Sequence, residues 1–321
     1  MSKIIIGIHG LGNKPPERTL AAWWKASIRE GLKGTKKEKS PFRFRLVYWA
    51  GYLNPEPLNP EIEDRNHPLY LEDPYIPCIS PRESAEEHRS GEFRKRVLHY
   101  LEEQMERIFL NEDLSINYSA INDFIIGRFF RDLESYYSGG RVLRDDPDRT
   151  ARDAICSQLA GVLTKHRRKK ILLIAHSMGS IIAYDVLTQF VPSVPVHTFV
   201  TIGSPLGLPV IKSRIVAELR KKGFSGTVLK TPENVASHWY NLSDVKDKVC
   251  LDYDLSDDFE ENSRHVRVID RFVTNDYEYM GEKNPHKSYG YLRTPEMAQI
   301  IAGFLGKRWW EPFFRWKRYL T

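Results

Sequence analysis

The chain of 321 residues is about twice as long as a typical domain, and its composition is 41% hydrophobic and 28% charged. These proportions exclude a disordered, collagen-like or membrane-spanning chain. Its 48 Lys and Arg against 42 Asp and Glu give a formal net charge of +6, which permits an anionic partner without requiring one. Three widely spaced cysteines provide neither a disulfide framework nor a zinc site. We therefore expect a cytoplasmic protein with no transmembrane helix, no metal or other cofactor and no nucleic-acid partner.

Four short apolar runs punctuate the sequence: Ile4–Ile8, Phe44–Trp49, Ile171–Ala175 and Thr198–Ile202. None shows the alternation of a half-exposed strand, which is typical of central strands in a parallel sheet covered on both faces. Helical patterns lie between them, one after Pro15-Pro16 and another starting near Asp148. This alternation predicts an α/β, doubly wound fold with a mostly parallel sheet.

Residues 52–145 interrupt that rhythm. The segment opens with many prolines and then carries two long helical patterns, 84–110 and 120–137. The second is apolar around most of its circumference, so it must be buried on two sides. It either packs between the core and the first helix or covers a substrate pocket as a lid. We expect a core formed by residues 1–51 and 146–306, with 52–145 as a helical cap.

The third apolar run leads into a strong local motif, Ala175-His176-Ser177-Met178-Gly179, followed by a helical pattern. A serine on a tight strand-to-helix turn projects its hydroxyl from the sheet edge, and small neighbours leave room for the strained backbone. The helix amides then point at the site, so the Met178 amide can stabilise an oxyanion. The motif is a nucleophile elbow in which Ala175 replaces the usual first glycine.

With this motif the chain resembles the α/β-hydrolase superfamily, in particular its intracellular lipase- and esterase-like branch. A second motif agrees, because His9-Gly10-Leu11-Gly12-Asn13 follows the first apolar run as the His-Gly oxyanion loop does in that superfamily. The resemblance implies that the Leu11 amide is a second oxyanion donor, with His9, Gly10 and Gly179 as supporting residues. A dinucleotide-binding loop fits poorly, since the Gly-x-Gly-x-x-Gly order is missing.

A serine nucleophile needs a base and an acid, in the chain order Ser, acid, His for this fold. His286 lies in a loop just before the last helical pattern, where the family places its catalytic histidine. His238 and His265 begin strand-like segments and are expected to be structural or exposed.

Two aspartates compete for the acid, Asp244 and Asp247. The resemblance favours Asp247, which heads an Asp-x-Val turn; Asp244 is the alternative acid, and the unused one is expected to form a turn. Gly203-Ser204-Pro205 resembles a turn of lipase-like hydrolases and is assigned no catalytic role.

The resemblance implies a serine hydrolase that cleaves a carboxylic ester, small or lipid-like, through an acyl-enzyme on Ser177. The same triad supports thioesterase, amidase and acyltransferase chemistry, and a non-catalytic binding protein on this scaffold is the alternative from another class.

Two basic segments stand apart from the site. The run 165–170 ends a helix, where cations are favoured by the helix dipole, and we interpret it in that way. Residues 307–321 carry six aromatic and five basic side chains. This composition suits either contact with a membrane surface or packing on the body or on a second subunit, and we favour packing.

Overall fold

The computed structural model describes residues 1–78, 109–110, 116–117, 133–134, 136–137, 150–223, 225–226, 228–249 and 253–306. Its strands are β1 (Lys3–Ile8), β2 (Phe44–Val47), β3 (Phe109–Leu110), β4 (Ile116–Asn117), β5 (Lys170–His176), β6 (Val196–Ile202), β7 (Leu229–Lys230), β8 (Val235–Ser243), β9 (Phe259–Glu260), β10 (Val268–Phe272), β11 (Glu278–Tyr279) and β12 (Glu282–Lys283). Its helices are α1 (Glu17–Leu32), α2 (Ala151–Lys165), α3 (Met178–Asp185), α4 (Pro209–Arg220), α5 (Ser288–Leu292) and α6 (Pro295–Leu305).

Six of these strands form one central sheet in the order β10-β8-β6-β5-β1-β2, and every neighbouring pair is parallel. The four apolar runs are the parallel strands β1, β2, β5 and β6. The prediction of buried central strands is confirmed for β1, β5 and β6, whereas β2 lies at the edge of the sheet with Arg45 exposed. The sheet separates two apolar clusters: α1, α5 and α6 pack on one face, and α2, α3 and α4 on the other. The α/β architecture with a covered parallel sheet is therefore confirmed.

The strand order reverses between β1 and β5. From β1 the chain moves outward to β2, whereas from β5 it moves the other way to β6, β8 and β10. In open α/β sheets, ligands bind in the crevice outside the carboxyl ends of the strands at such a switch point. His9 directly follows β1 and Ser177 directly follows β5, so both sequence motifs lie at this crevice.

The helix predicted to start near Asp148 begins slightly later, at Ala151. Thr150 is its N-cap, because the Thr150 hydroxyl accepts a hydrogen bond from the Asp153 amide at 3.1 Å. A side-chain oxygen at this position satisfies a backbone donor that has no partner inside the helix, and this fixes where the helix starts.

The segment expected to form a cap is described only in part. Residues 53–78 contain no helix and no extended strand; Tyr75 and Ile76 pack against the α1, α5 and α6 side of the core. Most of the predicted helices 84–110 and 120–137, and all of the tail 307–321, lie outside the described residues. At the end of the first predicted helix the prediction is wrong, because Phe109–Leu110 is strand β3; residues 133–134 and 136–137 of the second are helical. No helix in the described part of the chain is long and apolar enough to cross a bilayer.

The end of this segment is anchored on the core by a buried ion pair. Arg152 donates to Asp185 at 2.9 Å, and the Tyr136 hydroxyl donates to the same carboxylate oxygen at 3.0 Å. Asp185 is fully buried, and burial raises its pKa while Arg152 opposes that shift. Removing one partner would leave the other buried and unpaired, so the cluster fixes residues 136–137 against α2 and α3.

Candidate active site

Ser177 has the strained backbone of a nucleophile elbow. It joins β5 to α3 with φ 52° and ψ −128°, a region that residues other than glycine rarely adopt. Hydrogen bonds hold it there: the Ser177 amide donates to the Ile202 carbonyl at 3.0 Å, and the Ser177 carbonyl accepts from the Ser180 amide at 2.8 Å. The strain is therefore maintained by neighbouring β6 and by the first turn of α3.

Two glycines allow the loops around Ser177 to come close. A Cβ atom on Gly179 would lie 2.7 Å from the His9 carbonyl oxygen, and one on Gly10 would lie 2.7 Å from Ser177 Cβ. Side chains at either position would separate the loop after β1 from the elbow. This contact explains why both motifs carry glycine at these points.

An aspartate and a histidine form a close pair beside the elbow. His286 Nδ1 lies 2.8 and 3.0 Å from the two carboxylate oxygens of Asp247, which is fully buried. Asp247 also accepts from the Tyr291 hydroxyl at 2.8 Å and from the Val249 amide at 3.0 Å. These donors stabilise an ionised Asp247, which keeps a proton on His286 Nδ1 and leaves Nε2 available as a base.

Asp244 makes different contacts. Its carboxylate accepts from the Asn275 amide at 2.6 Å and from the Lys246 amide at 2.8 Å. Burial raises the pKa of Asp244, and those two hydrogen bonds oppose the shift. The Asn275 side chain in turn donates to the carbonyls of Pro285 and Lys287, at 2.7 and 2.8 Å. Asp244 thus supports the loop that carries His286 and does not contact the imidazole.

His176, which the sequence analysis did not single out, supports the same loop. Its Nε2–H donates to the His286 carbonyl at 2.8 Å, and the two imidazole rings lie 4.8 Å apart. Burial, and then the charge of His286, lower the pKa of His176 well below its ordinary value. His176 is therefore a neutral donor that holds the backbone of His286.

The loop after β1 is fixed by His9. His9 Nδ1 donates to the Gly10 carbonyl at 2.8 Å, and Nε2 accepts from the Trp49 amide at 3.0 Å. Because a trans peptide places C=O and N–H on opposite sides, fixing the Gly10 carbonyl also fixes the direction of the Leu11 N–H. Burial lowers the pKa of His9 to about 3, so the ring stays neutral.

We expect His9 to make the fold sensitive to acid. The unfolded chain takes up a proton at His9 near pH 6.5 and the folded chain only near pH 3, so stability falls as the pH decreases between these values. The loss should reach about 2 kcal/mol by pH 5. The free energy of unfolding, measured with denaturant across this pH range, should depend less steeply on pH in His9→Asn than in the wild type. Equal slopes would contradict a neutral buried His9.

Two backbone amides next to the elbow have no acceptor among the described residues. Within the described part of the chain, neither the Leu11 nor the Met178 amide donates a hydrogen bond. Ser177 Oγ likewise makes no hydrogen bond to a described residue, so its bond to His286 is not formed here. Catalytic hydrogen bonds are often long in unliganded sites and tighten when substrate binds.

Gly203, to which the sequence analysis gave no catalytic role, lies directly against the aspartate–histidine pair. Its φ is 52°, and a Cβ there would lie 2.9 Å from Asp247 Oδ2 and 3.2 Å from His286 Nδ1. Ser204 links the same turn to the elbow, since its hydroxyl lies 2.7 Å from Ser180 Oγ. The Gly-Ser-Pro turn thus determines the space available to the pair.

We therefore expect Gly203→Ala to lower the kcat for hydrolysis of a test ester by about 100-fold. The added methyl group would displace Asp247 and His286, and a displacement near 1 Å in reacting groups has an effect of that size. Gly223→Ala is the matched control: Gly223 also has positive φ, at 90°, but nothing lies within 4 Å of its Cβ position. Both variants should lose stability, measured by thermal unfolding. Equal kcat values for the two variants would show that Gly203 matters only for its backbone conformation.

The His286 loop is also held from outside the core. Asp73 accepts from the Asn284 side chain at 3.0 Å and from Lys287 Nζ at 3.1 Å. The Asn284 side-chain oxygen in turn accepts a hydrogen bond from the His286 amide at 3.1 Å. The segment after β2 therefore contacts the loop on both sides of His286.

The two histidines that the sequence analysis expected to be structural or exposed, His238 and His265, lie away from this site. His238 is in the first half of β8 beside Tyr240, and His265 is exposed and bonded to Glu261 at 2.9 Å. A surface depression of about 610 Å³ near Phe259 and Arg267 includes none of the candidate site residues. No cluster of potential metal ligands is present among the described residues.

Comparisons with protein-family models, curated proteins and solved structures gave no match.

Proposed function

We propose that the protein is a serine hydrolase of the α/β-hydrolase type that cleaves a carboxylic ester. The observation that carries the proposal is the contact of His286 with the buried Asp247, at 2.8 Å, beside a strained serine at the sheet's switch point. Structural ion pairs seldom require a positive-φ serine nearby, whereas a nucleophile elbow does. Asp247, His286 and Ser177 thereby have the roles of acid, base and nucleophile.

In the proposed first step, His286 Nε2 removes the Ser177 hydroxyl proton as Oγ attacks the acyl carbon. Negative charge moves to the carbonyl oxygen, where the amides of Leu11 and Met178 stabilise it. Asp247 stabilises the imidazolium without taking its proton. The tetrahedral intermediate then collapses: the bond to the leaving oxygen breaks, and His286 protonates that oxygen.

In the second step, His286 removes a proton from water, which attacks the acyl-enzyme. A second tetrahedral intermediate forms at the same two amides, the bond to Ser177 Oγ breaks, and Oγ regains a proton from His286. These two reaction steps need only water and the residues named above.

A panel of substrates tests the proposal. p-Nitrophenyl esters of graded acyl length, with matching thioesters and anilides, should show hydrolysis fastest for the esters. A preference for the thioester or anilide series would favour the thioesterase or amidase alternative. Transfer of the acyl group to an added alcohol would favour the acyltransferase alternative. No turnover in any series would favour the non-catalytic alternative.

A further inference from the structure

A strongly basic surface lies at the amino ends of the central strands, opposite the candidate active site. We call it the basic face, made of Lys3 and residues 33–45 and 165–170. Residues 33–45 contain six Lys or Arg and one acid, and 165–170 contain five Lys or Arg and none. Since the whole chain has a net charge of +6, the remainder outside the basic face is net negative.

The segments of the basic face lie next to one another. Lys3 pairs in register with Lys170 across β1 and β5, and the Arg43 carbonyl accepts the Ile5 amide at 2.9 Å. Burial, and then Lys170 and Lys37, lower the pKa of Lys3. The pKa of His166 is lowered by burial and then by Lys169, Lys165 and Arg45. Like charges from three different elements therefore face each other.

Most of this charge has no acidic partner in the part of the chain that the structure describes. Among the described residues, the one ion pair of the face joins Arg45 to Glu17, at 3.3 Å. Glu38, the acid within the face, accepts from the Gly34 amide. The helix dipole favours cations only in the last turn of α1 and α2. It does not explain the cations at the starts of β1, β2 and β5, so the earlier interpretation of 165–170 is insufficient.

The C-terminal segment starts at the same face. The Lys3 ammonium donates to the Gly306 carbonyl and lies 5.8 Å from the centre of the Phe304 ring. From Gly306 the chain continues into 307–321, with its six aromatic and five basic residues. Trp and Tyr prefer the membrane–water interface, and Lys and Arg are attracted to anionic headgroups. This composition favours a lipid surface over a nucleic acid.

We propose that the basic face binds the surface of an anionic lipid bilayer. Ser177 is at the other end of β5, seven residues beyond Lys170 and therefore about 20 Å away. A protein bound through this face presents its candidate active site to the aqueous phase. Its substrate would then reach the site from solution and not from the bilayer to which the protein is bound.

Sedimentation with vesicles tests the proposal, using the full chain. Vesicles of equal parts phosphatidylcholine and phosphatidylserine should bind the wild type at low salt and release it at high salt; pure phosphatidylcholine should not bind it. The triple variant Arg167→Gln, Arg168→Gln, Lys169→Gln should lower the partition coefficient on the order of 100-fold. Hydrolysis of a soluble ester should stay unchanged on vesicles.

A second triple variant is the matched control. Lys25→Gln, Arg264→Gln and Lys283→Gln remove three exposed cations from other surfaces and should leave binding unchanged. Equal loss in both triples, or wild type left in the supernatant at low salt, would overturn the proposal. So would loss of binding confined to Trp309→Ala/Trp310→Ala, or preferential binding of mixed-sequence RNA. The sedimentation readouts do not depend on catalysis, so binding can fail independently of the proposed hydrolase activity; only the ester assay on vesicles rests on that activity.

Discussion

Ser177→Ala is expected to lower kcat for a p-nitrophenyl ester by roughly 10⁴- to 10⁶-fold. Alanine removes the atom that forms the acyl-enzyme and leaves only binding and oxyanion stabilisation, which together give on the order of 10³-fold over water. The amide and carbonyl of residue 177 keep their bonds to Ile202 and Ser180, so the fold should persist. Steady-state kinetics and thermal unfolding of the same preparation measure both effects.

A variant that keeps more than a tenth of the wild-type rate would exclude Ser177 as the nucleophile. Equal losses of kcat and of folded protein would instead show that the elbow is needed for folding. The two outcomes are distinguished by circular dichroism at the assay temperature.

Asp247→Asn is expected to lower kcat by about 10⁴-fold with little change in folding. The asparagine amide would donate to His286 Nδ1, which moves the imidazole proton to Nε2 and removes the base that faces Ser177. Val249 and Tyr291 donate to different carboxylate oxygens, so the Val249 hydrogen bond can remain while Tyr291 loses its acceptor. Losing that one hydrogen bond should cost about 1 kcal/mol of stability, which leaves the protein folded. The distinguishing result is a fall in kcat without a matching rise in KM.

Asp244→Asn is the matched control for this prediction. It lies three residues away, is also buried, and accepts two backbone amides instead of the imidazole. Its replacement should reduce stability by about 1–3 kcal/mol and leave kcat within about tenfold. If Asp244→Asn gave the larger loss of kcat, the assignment of the acid would be reversed.

The parts of the fold that sequence could predict are those with a local cause. Continuous apolar runs identified β1, β5 and β6 because strands covered on both faces need no alternation, and a fourth run located the edge strand β2. The placement of Ser177 followed from a motif that is one short turn. The start of α2 was predicted less well, because several nearby polar residues can cap a helix and Thr150 was the one that did.

Contacts between distant segments have no local sequence pattern that predicts them. Asp73 meets Asn284 across 211 positions of sequence, and Gly203 lies against Asp247 and His286 because three loops meet at one sheet edge. Residue type and spacing do not specify which loops meet. Nor could the sequence show that His176 is a buried neutral donor, since that state depends on desolvation by the folded core.

Covalent labelling tests most directly whether Ser177 is a nucleophile activated by His286. A fluorophosphonate should phosphonylate Ser177, and peptide mass spectrometry should find the adduct there in the wild type. Labelling should be lost in Ser177→Ala and strongly slowed in Asp247→Asn, while Asp244→Asn labels at close to the wild-type rate. A folded wild-type protein that stays unlabelled at Ser177, or carries the adduct on another serine, would contradict the assignment.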